Sequence, residues 1–126
     1  MAHLLVVDDD EYVREGLVAV LSAEGHAITE AASIAAAREV FAASKAAFDL
    51  ALLDLWLPDG SGLTFLDHLS AAAPDLLVVV MSGGGPGRSL EQALAFADAT
   101  GARATIIKPF QNAELIDKVN AALAEG

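Results

Sequence analysis

The sequence predicts an α/β domain, a three-layer sandwich in which helices cover both faces of one parallel sheet. Short runs rich in Val, Leu and Ile alternate with longer segments of helical period, the spacing of βαβ units. Most of those runs are apolar throughout, as strands buried on both faces are. Four of them stop at a charged or hydroxyl side chain, where ligands meet the carboxyl edge of an open sheet.

The first strand is His3-Leu-Leu-Val-Val7, ending at the acids Asp8, Asp9 and Asp10. A helix follows, with Val13, Leu17, Val20 and Leu21 along one face and acids in its first turn, where the helix dipole favours them. His26 to Ala31 alternates weakly and reads as an edge strand. Ser33 can cap the next helix, whose Ile34, Ala37, Val40 and Phe41 face inward. The third strand begins near Phe48 and stops at a lone carboxylate, Asp54; Pro58, Gly60 and Gly62 then make a turn. Leu63, Leu66 and Leu69 mark a third helix that ends before Pro74. Leu76 to Met81 is the fourth strand, followed by Ser82 and the glycine-rich stretch Gly83 to Gly87. Leu90, Leu94 and Ala97 mark a helix closing near Gly101. The last strand, about Arg103 to Ile107, runs into Lys108-Pro109, and Leu115, Ile116, Val119 and Leu123 mark the final helix.

At 126 residues the chain reads as a single domain, 1–126, with no linker or repeat to mark a second. A hydrophobic content of 55% excludes disorder, and a formal net charge of −11 argues against nucleic acid or anionic membrane as partners. There is no cysteine, so neither a disulfide framework nor a thiolate metal site is available. The first apolar run ends at Asp8, too soon for a signal peptide, and no stretch reaches the ~20 apolar residues of a membrane span. A cytoplasmic location is expected.

In a parallel sheet all carboxyl ends open on one edge, so Asp8, Asp9, Asp54, Ser82 and Lys108 can share a pocket. Clustered carboxylates repel by roughly 4 kcal/mol per pair at 4 Å and an effective dielectric of 20, so they need a cation. Oxygen donors with no His or Cys among them favour Mg²⁺. A partly filled metal shell leaves room for a phosphoryl oxygen. Lys108 can neutralise another, Ser82 can donate to a third, and Asp54 becomes the nucleophile.

The acid pair Asp8-Asp9, the run Leu52-Leu-Asp54-Leu with Leu57-Pro-Asp-Gly-Ser-Gly62, Ser82 with Gly83, and Lys108-Pro109-Phe110 resemble, in this order, the receiver domains of two-component response regulators. The resemblance covers nearly the whole chain. It implies a flavodoxin-like (βα)5 fold with strand order 2-1-3-4-5 and a phosphoryl group passed to Asp54 from a histidine kinase or a histidine phosphotransfer protein. It also implies Mg²⁺ held by Asp9 and Asp54 directly, by Asp8 through water and by the main-chain carbonyl of Trp56, a cis Lys108-Pro109 bond, and self-dephosphorylation that resets the switch. The chain departs from the pattern at Thr105, where receivers often carry Tyr or Phe. Phe96 and Phe110 are nearby in the expected fold but read as core. Trp56, two residues past Asp54, is expected to roof the pocket and slow attack by water or modulate phosphodonor access.

Rival readings fare worse. Ser82-Gly-Gly-Gly-Pro-Gly-Arg-Ser89 approximates a Walker A loop but has Ser for the first Gly and Arg88 for the Lys. His3, His26 and His68 lack metal-ligand spacing. A dehalogenase-type phosphatase would place its nucleophile after the first strand, and Glu11-Tyr12 stands where small residues belong. A receiver fold serving only as a non-phosphorylated interaction module would be free to lose the acids, Ser82 and Lys108, all of which are present.

Overall fold

The computed structural model describes residues 2–44, 47–57, 60–83 and 102–125. The predicted helix around Leu90, Leu94 and Ala97, together with Phe96, Pro58 and Gly84 to Gly87, lies outside the described residues.

Seven strands and four helices are described. They are β1 (His3–Val7), α1 (Glu11–Ala23), β2 (Ala27–Ala31), α2 (Ile34–Ala43), β3 (Leu50–Asp54), β4 (Trp56–Leu57), β5 (Gly60–Ser61), α3 (Gly62–Ala72), β6 (Leu77–Gly83), β7 (Ala104–Lys108) and α4 (Asn112–Glu125). Five strands form one parallel sheet in the order β2-β1-β3-β6-β7, which is the predicted 2-1-3-4-5 once β4 and β5 are set aside. The expected flavodoxin-like α/β class is therefore the one observed.

Side-chain alternation on the central strands divides the core in two. Leu5, Val7, Leu53 and Val80 pack under Ile34 and Ala37 of α2 and Phe65 and Leu69 of α3. Leu4, Val6, Leu52 and Ile106 pack under Leu17 and Leu21 of α1 and Leu115 and Val119 of α4. Both layers are almost wholly inaccessible to solvent, which is why β1 and β3 read as unbroken apolar runs. β2 lies at the sheet edge, and its weaker pattern matches its partial exposure.

Three boundaries differ from the sequence reading. β6 runs on through Ser82 and Gly83 because β7 pairs with it there, Ser82 opposite Ile107 and Gly83 opposite Lys108. Lys108 is likewise the last residue of β7, not a loop residue. The segment after Asp54, expected as a plain turn, makes a small antiparallel hairpin with Trp56 opposite Ser61 and Leu57 opposite Gly60. Pairings between distant or turned segments leave no periodic signal in the strand itself, so composition could not show them.

The caps are local. Ser33 Oγ accepts from the Ala36 amide at 3.0 Å, as predicted. Gly25, at φ +92°, closes α1 in the left-handed region that a Cβ disfavours. Asp10 Oδ1 accepts from the amides of Tyr12 at 2.9 Å and Val13 at 3.1 Å, so the third acid of the run is a helix cap. Asp10→Ala should therefore cost about 1 kcal/mol in urea unfolding while leaving divalent-cation affinity within roughly two-fold. A large loss of affinity would place Asp10 among the ligands instead.

Candidate functional site

Asp8, Asp54 and Lys108 all stand at the carboxyl edge of the sheet. Each has the alternation parity of a residue in the layer under α1 and α4, namely Val6, Leu52 and Ile106. Parity and adjacency of β1 and β3 bring the two acids together, and Lys108 reaches them across β6.

Lys108 Nζ lies 2.6 Å from Asp8 Oδ2 and 3.2 Å from Asp54 Oδ2, bridging residues 100 and 54 positions away in the chain. The other oxygens are held by main chain. Asp8 Oδ1 accepts from the Asp10 amide at 2.9 Å, and Asp54 Oδ1 accepts from the Trp56 amide at 3.0 Å. Asp8 is fully buried and Asp54 nearly so, whereas Asp9 is exposed. One carboxylate oxygen from each of Asp8, Asp9 and Asp54 lies within 4.8 Å of the others.

Burial raises the pKa of Asp54 above its ordinary value, and the charge of Asp8 adds to this; the Trp56 amide and Lys108 pull it back only in part. Burial works against the charge on Lys108, yet its hydrogen bond to Asp8 and the charges of both acids outweigh that and hold its pKa above the usual lysine value.

These side chains wall a cleft of about 430 Å³ lined by Asp8, Asp9, Asp10, Asp54, Trp56, Leu57, Gly83 and Lys108. A larger hollow of about 640 Å³ opens at the opposite edge of the sheet, beside His26, Phe48, Asp49, Asp75 and Leu123, with no lysine or arginine among its described lining residues. The cleft with the convergent acids and lysine is equipped for chemistry.

Ser82 departs from the expected arrangement. It is buried and does not line the cleft, and its parity is that of Val80, in the layer under α2 and α3. Its Oγ accepts from the indole N–H of Trp56 at 3.4 Å. Trp56 is half-buried on the cleft wall, packed against that same layer. A Cβ on Gly83 would meet Lys108 at 3.7 Å, an ordinary contact, so space alone does not require glycine there.

The Lys108-Pro109 peptide bond is cis, as the resemblance implied. Thr105, on the edge strand β7, is half-buried and its carbonyl accepts from Lys118 Nζ at 2.7 Å. Phe110 packs against the layer of α1 and α4, in keeping with its reading as core. The histidines hold structural places. His3 packs on Phe48 with ring centroids 4.2 Å apart, His26 Nδ1 accepts from the Ala2 amide, and His68 stacks on Phe65.

Sequence reasoning missed Arg14. Its Nη1 donates to the Asp8 carbonyl at 2.7 Å and its Nε to Glu30 Oε1 at 3.1 Å, pinning the backbone behind the acid pair to β2. An arginine one helical turn past a capping acid was the available signal.

The comparison with protein families decides the class. The sequence model described as "Response regulator receiver domain" matches residues 4–120. The chain belongs to that family. Among curated relatives it is 34% identical to the phosphate regulon transcriptional regulatory protein PhoB of Escherichia coli, over 96% of this chain and 51% of that protein. It is 32% identical to the DNA-binding transcriptional activator DevR/DosR of Mycobacterium tuberculosis, over 91% of this chain and 51% of that protein. The chain thus spans about half the length of these relatives. Among solved structures, the receiver domain of NtrX from Brucella abortus matches at 33% identity with a TM-score of 0.86, covering 98% of this chain and 99% of that one. A CheY-like receiver domain protein from Methanospirillum hungatei matches at 29% identity with a TM-score of 0.87, covering 99% and 95%. Receiver domains are the phosphoacceptor modules of two-component response regulators, partners of histidine kinases and not enzymes in the ordinary sense. No helix among the described residues is long and apolar enough to cross a membrane.

Proposed function

We propose that residues 1–126 act as one receiver unit in which Asp54 takes a phosphoryl group from a phosphohistidine on a kinase or phosphotransfer protein. The observation that carries this reading is the bridge from Lys108 to both Asp8 and Asp54 beside a third carboxylate. An oxygen of Asp54 forms a bond to phosphorus as the bond from phosphorus to the donor imidazole breaks, its electron pair leaving with the nitrogen. Lys108 is already within reach of the acceptor carboxylate and meets the charge gathering on the phosphoryl oxygens. The Ser82 hydroxyl supplies a further hydrogen bond. The same residues serve the later attack of water that releases phosphate, with Trp56 limiting the approach.

The donor set fits a hard divalent cation. Three carboxylates converge with no nitrogen or sulfur ligand among them, and Asp9 faces solvent. We assign Asp8, Asp9, Asp54 and the main-chain carbonyl of Trp56 to the Mg²⁺ site, with Asp8 acting through water. When bound, the ion supplies positive charge that offsets the negative charge of acceptor and phosphoryl group.

Millimolar Mg²⁺ should change Trp56 fluorescence and raise the melting temperature. At ten times its Kd a ligand adds about 1.4 kcal/mol, or roughly 5 °C for a chain of this size. Asp9→Asn should abolish both responses; a variant that still responds fully would remove Asp9 from the site. The reading as a whole is tested by incubating the chain with a phosphorylated histidine kinase and Mg²⁺, where transfer of label to an acyl phosphate is expected and absence of transfer from any phosphohistidine donor counts against it.

The added negative charge at Asp54 alters partner affinity elsewhere on the surface. The net charge of −11 supports a protein partner for these residues, with no direct contact to nucleic acid. DevR/DosR, which is DNA-binding, is about twice as long as the matched region.

A further inference from the structure

Two hydrogen bonds of Trp56 reach different parts of the site. Its main-chain N–H donates to Asp54 Oδ1 at 3.0 Å, and its indole N–H donates to Ser82 Oγ at 3.4 Å. The two acceptors sit on opposite sides of the sheet by parity. Asp54 belongs with the layer of Leu52, and Ser82 with that of Val80. Ser82 is buried and off the cleft wall, while Trp56 forms part of that wall. The phosphoacceptor and the hydroxyl that is to serve it are therefore connected through one residue.

We propose that Trp56 is a positioning residue that ties the Ser82 hydroxyl to Asp54, its indole N–H occupying one lone pair of Oγ so that the hydroxyl proton is left for a phosphoryl oxygen. This rests on the reading of Asp54 as phosphoacceptor. A hydroxyl has one proton to give and two lone pairs, so accepting from the indole does not compete with donating to phosphate. Accepting also polarises the O–H bond and strengthens its donation. The indole contact, at 3.4 Å, is longer than the roughly 2.7–3.2 Å usual for N–H···O bonds. The aromatic side chain hydrogen-bonded to Ser82 comes from the hairpin strand β4.

Trp56→Phe isolates the indole N–H, because it keeps an aromatic ring and leaves both the main-chain amide and the carbonyl in place. Trp56 is the only tryptophan, so its indole proton gives a single, unambiguous NMR signal. In the full chain, without any phosphodonor, Ser82→Ala should shift that signal and speed its exchange with solvent by roughly five-fold, as loss of one hydrogen bond predicts. With acetyl phosphate and Mg²⁺, phosphoryl uptake by Trp56→Phe should be slower by roughly five-fold when Ser82 is present, and within about two-fold of its background when Ser82 is already Ala.

An indole signal indifferent to Ser82→Ala would remove the contact and the proposal with it. Equal slowing in both backgrounds would show that Trp56 acts by bulk alone and would also overturn it. If the wild-type chain takes up no phosphoryl group while the indole signal does respond to Ser82→Ala, the phosphoacceptor reading is what has failed, and the positioning role falls for want of a reaction.

Discussion

Replacing Asp54 by Asn is expected to take phosphoryl uptake from a phosphohistidine donor down to background, a loss of roughly 10³-fold or more, because an amide oxygen is a poor nucleophile toward phosphorus. Scintillation counting of the chain after exposure to a labelled kinase measures it. Undiminished labelling would identify another acceptor. The same substitution is expected to stabilise the cation-free protein at neutral pH. Asn removes a buried charge whose cost shows in the raised pKa of Asp54; its single oxygen can stay with the Trp56 amide, while its NH₂ replaces the oxygen that faces Lys108.

The pH dependence follows from that direction. A carboxyl whose folded pKa lies above its unfolded value binds more protons in the folded state, so its contribution to stability is fully present below 3.8 and is lost as pH rises through the folded value. The stability gap between Asp54→Asn and wild type should therefore be small in acid and open as pH rises toward neutrality. A gap independent of pH would mean that burial does not penalise the charge.

Removing Lys108 is expected to cost more stability than any other single change at the site. Lys108→Met leaves Asp8, fully buried, and Asp54, nearly so, without their counter-charge, a loss of about 3 kcal/mol in the absence of divalent cation. Because Nζ occupies an oxygen of both acids, its removal also frees ligands, so Mg²⁺ should bind the variant more tightly and restore part of the lost stability. Phosphoryl uptake should nevertheless fall at least ten-fold, the charge that meets the phosphoryl oxygens being gone. The Lys108 pKa is raised above 10.5, so its charge stabilises the fold below that value and the contribution disappears as pH climbs through the folded pKa. Wild type and variant should converge only in strong alkali. Thermal melts across Mg²⁺ concentration and pH distinguish this from a packing defect, which Mg²⁺ would not repair.

Much of the fold was legible because it depends on short-range signals. Strands with two buried faces must be apolar throughout, so Leu4 to Val7 and Leu50 to Leu53 stood out, and helices packed on one side must repeat apolar residues every three to four positions, as Leu17 and Leu21 do. The cap at Ser33 needed only its own turn of backbone. The candidate site was legible in kind for a related reason. Charged and hydroxyl groups cannot sit cheaply at the ends of buried strands, so finding them there on several strands marked the edge where they meet.

What escaped the sequence reading depends on pairing and direction across the fold. The extension of β6 to Gly83 exists because β7 lies beside it. The hairpin of Trp56 and Leu57 with Gly60 and Ser61 has strands too short to carry a period. The three consecutive acids were alike in composition, yet the start of α1 turns Asp10 into a cap while Asp8 bonds to Lys108 and Asp9 faces solvent. The partnership of Trp56 with Ser82 likewise needed the hairpin to carry the indole across to the far side of β6.

By itself, then, the sequence determined that the central strands are buried, where the five sheet strands and the four described helices run, and which strand ends carry reactive groups, since each follows from the chemistry of a residue and its near neighbours. Only the tertiary structure decided that Lys108 joins Asp8 to Asp54, that Ser82 stands behind Trp56 and that Asp10 stands apart. Those relations depend on sheet order, register and side-chain parity, which arise when distant segments pair and have no counterpart along the chain.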